Sequence, residues 1–307
     1  MAHKVIITAA VTGAVHVPSM SPYLPQTVEQ IVEDAVQAHA AGAAVVHIHG
    51  RNPSDGSPSS DVALIKSIVS MIKERCDVVI GITTGGRVGM TAEERLAAVS
   101  ALRPELASCN AGSMNFVLSP IAEKIKDPKF SWEIPFLQGT QDLIFANTFR
   151  SMETYIKTME EKGTRPEFEV YDAGMVNNLA YFLARGIARP PIYLQFVLGI
   201  LGGMAATPDN LLFLVRSARE QLGEFTWSCA AAGRNQFALT TLAATMGGHV
   251  RVGLEDNLYL KPGVLAKSSA EQVTLIREIL DRLGLAVATP EEARRILGLK
   301  GSGQVDF

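Results

Sequence analysis

Eight short apolar runs, each rich in β-branched residues, alternate with amphipathic segments along the whole 307-residue chain. A strand repeatedly followed by a helix predicts a parallel sheet covered by helices, and eight such units at this length are typical of an α/β protein with a (β/α)8 TIM barrel. The alternative is an open doubly wound sheet, but the residues after the first run, "AAVTGAVH", contain no G-x-G-x-x-G phosphate loop. The predicted barrel strands cover residues 5–10, 44–49, 78–83, 106–111, 168–172, 192–198, 225–230 and 249–254.

Five of the intervening segments begin with a helix-capping signature, a hydroxyl residue followed by Glu or Gln three positions later or by proline at the next position. The first pattern predicts a capping box, in which the two side chains satisfy backbone amides reciprocally. The second pattern places proline at the first helical position, where its missing N–H is tolerated. The five signatures are Thr27 to Gln30, Thr91 to Glu94, Ser269 to Gln272, Thr207-Pro208 and Thr289-Pro290.

Residues 114–149 interrupt this alternation. The segment is long, carries several aromatic residues and is punctuated by proline and glycine, so we expect an excursion from the barrel after the fourth strand. Neither a linker-like composition nor an internal repeat marks a domain boundary. Residues 1–307 are therefore predicted to form a single barrel domain.

The bulk composition argues against several other classes of protein. Hydrophobic residues make up 47% and charged residues 19% of the chain, which supports a large buried core rather than disorder. A net charge of −3 does not suit a nucleic-acid-binding face. No apolar run is long enough for a membrane-spanning helix, and "MAHKVIITAA" is predicted to be a first strand rather than a signal peptide. The three scattered cysteines predict a cytoplasmic protein without a disulfide framework.

The second predicted strand ends in "VVHIHGRNP", residues 45–53, where one residue separates His47 from His49. Alternate residues of a strand point to the same face, so both imidazoles are expected at the carboxyl-terminal mouth of the barrel, where barrel active sites lie. There they provide two ligands of a metal site that needs a third. The alternative is one core histidine and one rim histidine without a metal. The following Arg51-Asn52-Pro53 is predicted to turn the chain away.

A carboxylate beyond the eighth strand is the candidate third ligand. The segment "HVRVGLEDN", residues 249–257, supplies both Glu255 and Asp256. Two histidines and one carboxylate form an open Lewis-acid site that zinc or nickel accepts, with zinc as the default. The acid pair could instead mark a helix start that the helix dipole favours.

Other strand ends carry polar groups at a similar height. The loop "TTGGRVG", residues 83–89, offers hydroxyls and glycine amides that could hold an anion, or could form only a tight turn. Arg234, after the seventh strand, is either a phosphate-binding residue or a solvated surface charge. The remaining candidates at strand ends are Ser108, Asn110 and Asp172.

Six motifs, in order and across most of the chain, resemble the β-keto acid cleavage enzyme family, whose type member cleaves 3-keto-5-aminohexanoate. The motifs are "TAAVTGA", "VVHIHGR", "TTGGRVG", "NAGSMNF", "QFVLGILGGM" and "RVGLEDN". The resemblance implies a zinc-dependent barrel that condenses a β-keto acid with acetyl-CoA and releases acetoacetate and a new CoA ester. It also implies a homo-oligomer, often a tetramer, and the apolar stretch at 193–204 is compatible with a subunit interface.

The same resemblance assigns roles to residues of the barrel mouth. It implies that His47, His49 and Glu255 ligate the zinc ion, which would polarise the keto oxygen as a Lewis acid. Arg251 and Asp256 fall on the catalytic arginine and aspartate of the family. Asp256 is expected to take the α-proton, with Arg251 orienting and tuning that carboxylate.

The substrate-binding positions include one departure from the family pattern. Thr83, Gly86 and Ser108 fall where the family binds the carboxylate end of the keto acid. Val15 replaces a glutamate that holds the ammonium group of 3-keto-5-aminohexanoate in the type member. Because valine cannot pair with a cation, we expect a substrate with a neutral or apolar far end, unless His16 recognises an anion there.

Two other functional classes compete with this interpretation. A metal-dependent aldolase or hydrolase could use the same two histidines and acid, but only the cleavage enzyme requires acetyl-CoA. A non-catalytic barrel would leave the convergence of metal-ligating and charged residues at one end without a reason. Acetoacetate production therefore separates the classes.

Overall fold

The computed structural model describes residues 4–86 and 89–307; the "RV" of the TTGGRVG loop and the first three residues lie outside this description. Eight parallel strands close into a barrel, which confirms the predicted fold. All eight predicted strands are present, with end points that differ by a few residues at most. They are β1 Ile7–Ala10, β2 Val45–Ile48, β3 Val79–Ile82, β4 Leu106–Asn110, β5 Arg165–Val170, β6 Ile192–Leu198, β7 Phe225–Ala231 and β8 His249–Val252.

Each strand pairs with its neighbours in sequence, and β8 closes the barrel against β1. In the pairing of β8 with β1, Arg251 lies opposite Thr8. In the pairing of β1 with β2, His47 lies opposite Ala10. Parallel pairing brings all eight carboxyl ends to one mouth, as a repeated strand and helix unit requires.

Helices surround the barrel and bury their apolar faces against the outward-facing strand residues, such as Val46, Val170 and Val250. None of the helices in the described ranges is long and apolar enough to cross a membrane. These helices are α1 Val28–Ala41, α2 Val62–Arg75, α3 Ala92–Leu102, α4 Ser119–Ala122, α5 Glu133–Gly139, α6 Phe149–Glu161, α7 Ala173–Ala184, α8 Pro208–Leu222, α9 Gln236–Thr245, α10 Ser269–Arg282 and α11 Pro290–Leu297.

Four of the five predicted helix caps are confirmed. Thr27, Thr91, Thr207 and Thr289 each accept a hydrogen bond from a first-turn amide, and proline follows the last two. The fifth prediction is wrong by one residue.

Ser268, not Ser269, caps α10 and accepts from Glu271 N. The side chain of Gln272 is unavailable for a capping box because it is buried and bonds the loop after β8. Its Oε1 accepts from Gly253 N at 2.7 Å, and its Nε2 donates to Asn257 O at 2.6 Å.

The chain leaves the barrel between β4 and β5, in the region predicted as an excursion. This segment contains the short helices α4 and α5 and a two-stranded ribbon of Met114–Asn115 with Ile144–Phe145. It reaches across to the loops that follow β1 and β2. Lys129 N donates to Ser19 Oγ at 2.7 Å, and Trp132 Nε1 donates to Asp55 O at 3.2 Å. The excursion therefore lies on one side of the barrel mouth.

Candidate active site in the barrel mouth

His47, His49 and Glu255 meet at the mouth of the barrel. The Nε2 atoms of the two histidines lie 3.1 Å apart. Glu255 Oε1 lies 3.8 Å from His47 Nε2 and 3.3 Å from His49 Nε2. One ligand atom from each residue falls within 4.8 Å of the others, which is compact enough to hold one metal ion.

The chemistry of these three groups fits a divalent metal. Burial lowers the pKa of His47 to about 3, so its imidazole is neutral, the form that ligates metals. Burial opposes the charged form of Glu255, but His49 and Arg251 hold the pKa of this carboxyl well below its usual range. Glu255 Oε2 is buried and has no hydrogen-bond partner among the residues that the structure describes. A buried carboxylate oxygen without a partner is costly, and a cation at this position would satisfy it.

The backbone places Glu255 beside the histidines through two close approaches. Glu255 N donates to Ala10 O at the end of β1 with a distance of 3.1 Å. Gly13, with a φ of +58°, lies against the Glu255 side chain so tightly that a Cβ at this position would fall 2.3 Å from Glu255 Cγ. Glycine is required at Gly13 both for its left-handed backbone and for this contact.

Arg251 and Asp256 form a bidentate ion pair next to the candidate metal ligands. Arg251 Nε lies 2.8 Å from Asp256 Oδ2, and Nη2 lies 2.9 Å from Oδ1. Nη2 also donates to Glu255 Oε1 at 2.7 Å. Burial raises the pKa of Asp256 despite the opposing effect of Arg251, which makes this carboxylate a stronger base. The pair joins the candidate base directly to a candidate metal ligand.

Two further buried carboxylates, which the sequence analysis did not select, lie inside the barrel below this pair. Glu169 Oε1 is 3.6 Å from Arg251 Nη1, and Glu167 accepts a hydrogen bond from Gln195. Burial raises the pKa of both carboxyls to about 7. The signal that could have found them is the alternation in "RPEFEV", where Glu167 and Glu169 flank outward-facing Phe168 and so point inward.

The residues predicted to hold a substrate carboxylate lie around the ends of β3 and β4. Thr84 N donates to Ser108 Oγ at 3.0 Å, so the hydroxyl of Ser108 already supports the loop. Gly85 N donates to Thr83 Oγ1 at 2.9 Å, and a Cβ on Gly85 would lie 3.9 Å from the His49 ring. This loop is therefore adjacent to the candidate metal ligands.

Two more predicted positions belong to the same neighbourhood. Asn110 is 1% exposed, and within the described ranges its Oδ1 has no hydrogen-bond partner, so its amide has unused hydrogen-bonding capacity there. Gly86 packs against Arg95, a buried side chain whose Nε donates to Thr84 O at 2.7 Å. Arg95 was not predicted; it ties the loop to the start of α3.

Val15 contacts an apolar cluster that the excursion builds over the mouth. We call this the mouth cluster: Val17, Leu118, Ala122 and Leu137, with Val15, Met20, Phe116, Ile121, Ile125, Trp132, Ile134 and Phe136 packed against it. His16, next to Val15, is buried, and its Nδ1 lies 2.8 Å from Leu254 O. Burial lowers the pKa of His16 to about 4, so the ring is neutral and held by the backbone rather than poised for an anion.

Arg51 has a larger structural role than the predicted turn suggested. It is fully buried and donates to Thr12 Oγ1, Thr12 O, His16 O and Gly56 O at 2.6 to 3.0 Å. These bonds fix the loop that carries Gly13 and Val15. A buried arginine without a carboxylate partner is uncommon, and the motif alone did not reveal it.

The two remaining candidates are Asp172 and Arg234. Asp172 is the N-cap of α7 and accepts from Met175 N at 3.2 Å, which is a structural role. Arg234 is exposed in a short turn, Gly233–Asn235. Gly233 N donates to Asp256 O at 2.8 Å, so the Arg234 loop borders the candidate base.

Comparison with known proteins agrees with the motifs. The family model described as beta-keto acid cleavage enzyme matches residues 4–299. A 3,5-dioxohexanoate:acetyl-CoA acetone transferase of Paraburkholderia graminis is 47% identical over 305 residues, covering 99% of this chain and 98% of that protein. A 3-keto-5-aminohexanoate cleavage enzyme of Fusobacterium nucleatum is 39% identical over 301 residues, covering 98% of this chain and all of that protein.

The solved structures support the same fold. The apo structure of ObcA superimposes with a TM-score of 0.72 at 24% identity, covering 91% of this chain and 66% of that one. At this identity the likeness speaks for the barrel alone. The sequence relatives extend over nearly the full length and confirm the predicted enzyme class: this chain is a member of the β-keto acid cleavage enzyme family.

Proposed function

We propose that this protein condenses a β-keto acid with acetyl-CoA and releases acetoacetate and a new acyl-CoA. The observation that carries the proposal is the bidentate Arg251–Asp256 pair placed beside His47, His49 and Glu255 at the barrel mouth. Acetyl-CoA stands in the names of several relatives, including a 3-oxoadipate:acetyl-CoA acetyltransferase of Cupriavidus necator that is 31% identical.

The chain's own residues divide the work of the reaction. Asp256, a buried carboxylate with a raised pKa, takes a proton from the α-carbon of the keto acid. Arg251 orients that carboxylate through two parallel hydrogen bonds. The α-carbon then attacks the thioester carbonyl and the CoA thiolate leaves. The thiolate next attacks the original keto carbonyl, and cleavage of the adjacent C–C bond releases the new thioester and the carbanion of acetoacetate. This carbanion takes back the proton held by Asp256 and becomes acetoacetate.

We propose zinc as the metal, held by the two histidines and Glu255. When bound, it supplies Lewis-acid polarisation of a carbonyl oxygen. The amides and hydroxyls around Thr83, Gly86, Ser108 and Asn110 hold the carboxylate end of the keto acid. Arg234, at the border of the Asp256 loop, is proposed to meet the CoA phosphates.

The far end of the substrate is proposed to be uncharged. Val15 belongs to the apolar mouth cluster, and the neutral His16 is engaged with Leu254 O. A cation at this position would be desolvated without a partner, which is costly. The name of the Paraburkholderia graminis relative describes a dioxo acid, whose far end is likewise uncharged.

We further propose a cytoplasmic homo-oligomer, a tetramer. Leu201, on the loop after β6, is 58% exposed and Ile144 of the excursion is 59% exposed, and a subunit contact on these surfaces would cover both side chains. The three free cysteines agree with a reducing compartment. Light scattering on the purified protein measures the assembly directly.

The proposed function is tested with purified, metal-analysed protein, acetyl-CoA and a panel of β-keto acids whose far ends are neutral, apolar, anionic or cationic. We expect acetoacetate from the uncharged substrates and loss of both product and zinc in His47→Ala. Asp172→Asn is the control, because that carboxylate caps a helix. Zinc-loaded protein that forms no acetoacetate from any substrate would contradict the proposal and favour an aldolase or hydrolase. A cationic keto acid as the preferred substrate would contradict the uncharged far end alone.

A further inference from the structure

Gln195, in the middle of β6, uses its whole amide group inside the barrel. The residue is fully buried. Its Nε2 donates to Glu167 Oε1 at 3.0 Å and to Ser228 Oγ at 3.2 Å. Its Oε1 accepts from Arg251 Nη1 at 2.9 Å. A neutral side chain therefore links a buried carboxylate on one side to the proposed catalytic arginine on the other.

The chemistry of the neighbours fixes which way this amide faces. The guanidinium of Arg251 can only donate hydrogen bonds, and the carboxyl of Glu167, ionised or protonated, keeps an oxygen that accepts one. If the amide of Gln195 turned over, N–H would face N–H at Arg251 and oxygen would face oxygen at Glu167. The orientation of the amide is therefore determined by its partners.

The hydrogen bond to Gln195 determines the direction in which Nη1 of the Arg251 guanidinium points. Nε and Nη2 of Arg251 are engaged with Asp256 and Glu255. Nη1 lies between Gln195 Oε1 at 2.9 Å and Glu169 Oε1 at 3.6 Å. Without the amide oxygen, the strongest acceptor left to Nη1 is the Glu169 carboxylate, and turning toward it would break the parallel bonds to Asp256.

We propose that Gln195 is a positioning residue for the reaction, because its amide, oriented by Glu167, keeps the Arg251 guanidinium aligned with Asp256. This inference rests on the proposed function. Gln195 does not contact the candidate metal ligands in any hydrogen bond of the described residues, so it acts on the base through Arg251 alone.

The first test is Gln195→Leu, which keeps the volume and removes the amide. This variant loses a hydrogen bond to the charged Arg251, and Asp256 is then misaligned as the base. We therefore expect kcat to fall roughly 10- to 100-fold. The KM for the keto acid and the affinity for zinc should both stay within about 3-fold of the wild-type values, because the groups that bind substrate and metal are unchanged. Thr240→Val is the control, since this buried hydroxyl bonds only carbonyls of its own helix α9.

The second test exchanges the two ends of the bond between Gln195 and Glu167. Gln195→Glu alone places the new carboxylate against that of Glu167, within hydrogen-bonding distance and without a donor between them, and should lower kcat. Adding Glu167→Gln restores a donor opposite the new carboxylate while Arg251 keeps its acceptor. The double variant should regain at least about 10-fold in kcat over Gln195→Glu.

Each of three solution results would overturn the proposal: a Gln195→Leu enzyme with kcat within 2-fold of wild type, a loss of kcat matched by loss of zinc and of thermal stability, or a double variant no better than Gln195→Glu. A crystal structure of zinc-loaded Gln195→Leu provides a readout that does not need activity. We expect Arg251 turned toward Glu169, and an unchanged Arg251–Asp256 pair would refute the positioning role. If wild-type protein forms no acetoacetate, the proposed function fails, while this structural readout still tests Gln195.

Discussion

Gly13→Ala should damage the candidate metal site by pushing on Glu255. Two effects act at once at this position. A residue with a side chain at a φ of +58° costs about 1 to 2 kcal/mol. The new Cβ would also fall 2.3 Å from Cγ, 2.8 Å from Cδ and 2.9 Å from Cβ of Glu255. Rotation of the carboxylate arm cannot relieve a clash that includes its own Cβ, so the loop itself has to move.

A matched control separates these two effects. Gly186 has a φ of +66°, close to that of Gly13, and a Cβ there would meet no atom of residues 4–86 or 89–307 within 4 Å. Gly186→Ala should therefore lose only the backbone term of about 1 to 2 kcal/mol. Overpacking typically adds about 1 to 3 kcal/mol, so Gly13→Ala should lose roughly 2 to 5 kcal/mol in total.

The metal affinity should separate the two variants more clearly than stability does. Because Glu255 is displaced, Gly13→Ala should bind zinc at least about 10- to 100-fold more weakly, whereas Gly186→Ala should bind it normally. Urea unfolding of metal-stripped protein and competition with a chromophoric chelator measure the two quantities. Equal stability and equal zinc affinity in the two variants would refute the argument that Gly13 supports Glu255.

Three further changes test other parts of the site. Arg51→Met should lower the free energy of unfolding by about 3 kcal/mol in urea denaturation, because buried acceptors on Thr12, His16 and Gly56 lose their donor, and Arg51→Lys should not rescue it. The free energy of unfolding should fall by up to about 3 kcal/mol as pH rises from 4.5 to about 7, because the raised pKa of Glu167 lets the folded protein bind more protons than the unfolded chain does. In Glu167→Gln, the urea midpoints measured between pH 5 and 8 should show a smaller decline. Val15→Glu should lower kcat/KM for uncharged keto acids at least about 10-fold, since it places a charge in the apolar mouth cluster.

The sequence was most informative where a local pattern has one structural solution. The eight β-rich runs became eight barrel strands because each is bounded by glycine, proline or a helix cap. The spacing of His47 and His49 placed both imidazoles at the mouth for the same reason, the two-residue period of a strand. The capping box at Thr27 formed as predicted, with Gln30 Oε1 accepting from Thr27 N at 3.2 Å and Gln30 N donating to Thr27 Oγ1 at 3.3 Å.

Prediction was less accurate where tertiary contacts choose between equal local options. Ser268 and Ser269 are both competent caps, and only the burial of Gln272 under the loop after β8 decides between them. Similarly, Arg51 follows a strand and precedes a turn, which favours an exposed position. Only the fold reveals that four acceptors from the β1 and β2 loops surround its guanidinium.

The residues that were missed, Glu167, Glu169 and Gln195, have one property in common, because all point into a barrel interior that is polar rather than apolar. Arg251 is the cation at the centre of this interior, and with Glu255 and Asp256 it faces more carboxylates than its single charge can balance. A bound divalent cation would offset part of this negative charge, and any ligand specific to the folded state stabilises it. Metal binding should therefore raise the unfolding temperature more in wild type than in Glu169→Gln, where one of the unbalanced carboxylates is gone. An equal rise in both proteins would show that the interior carboxylates and the metal cluster are electrostatically independent.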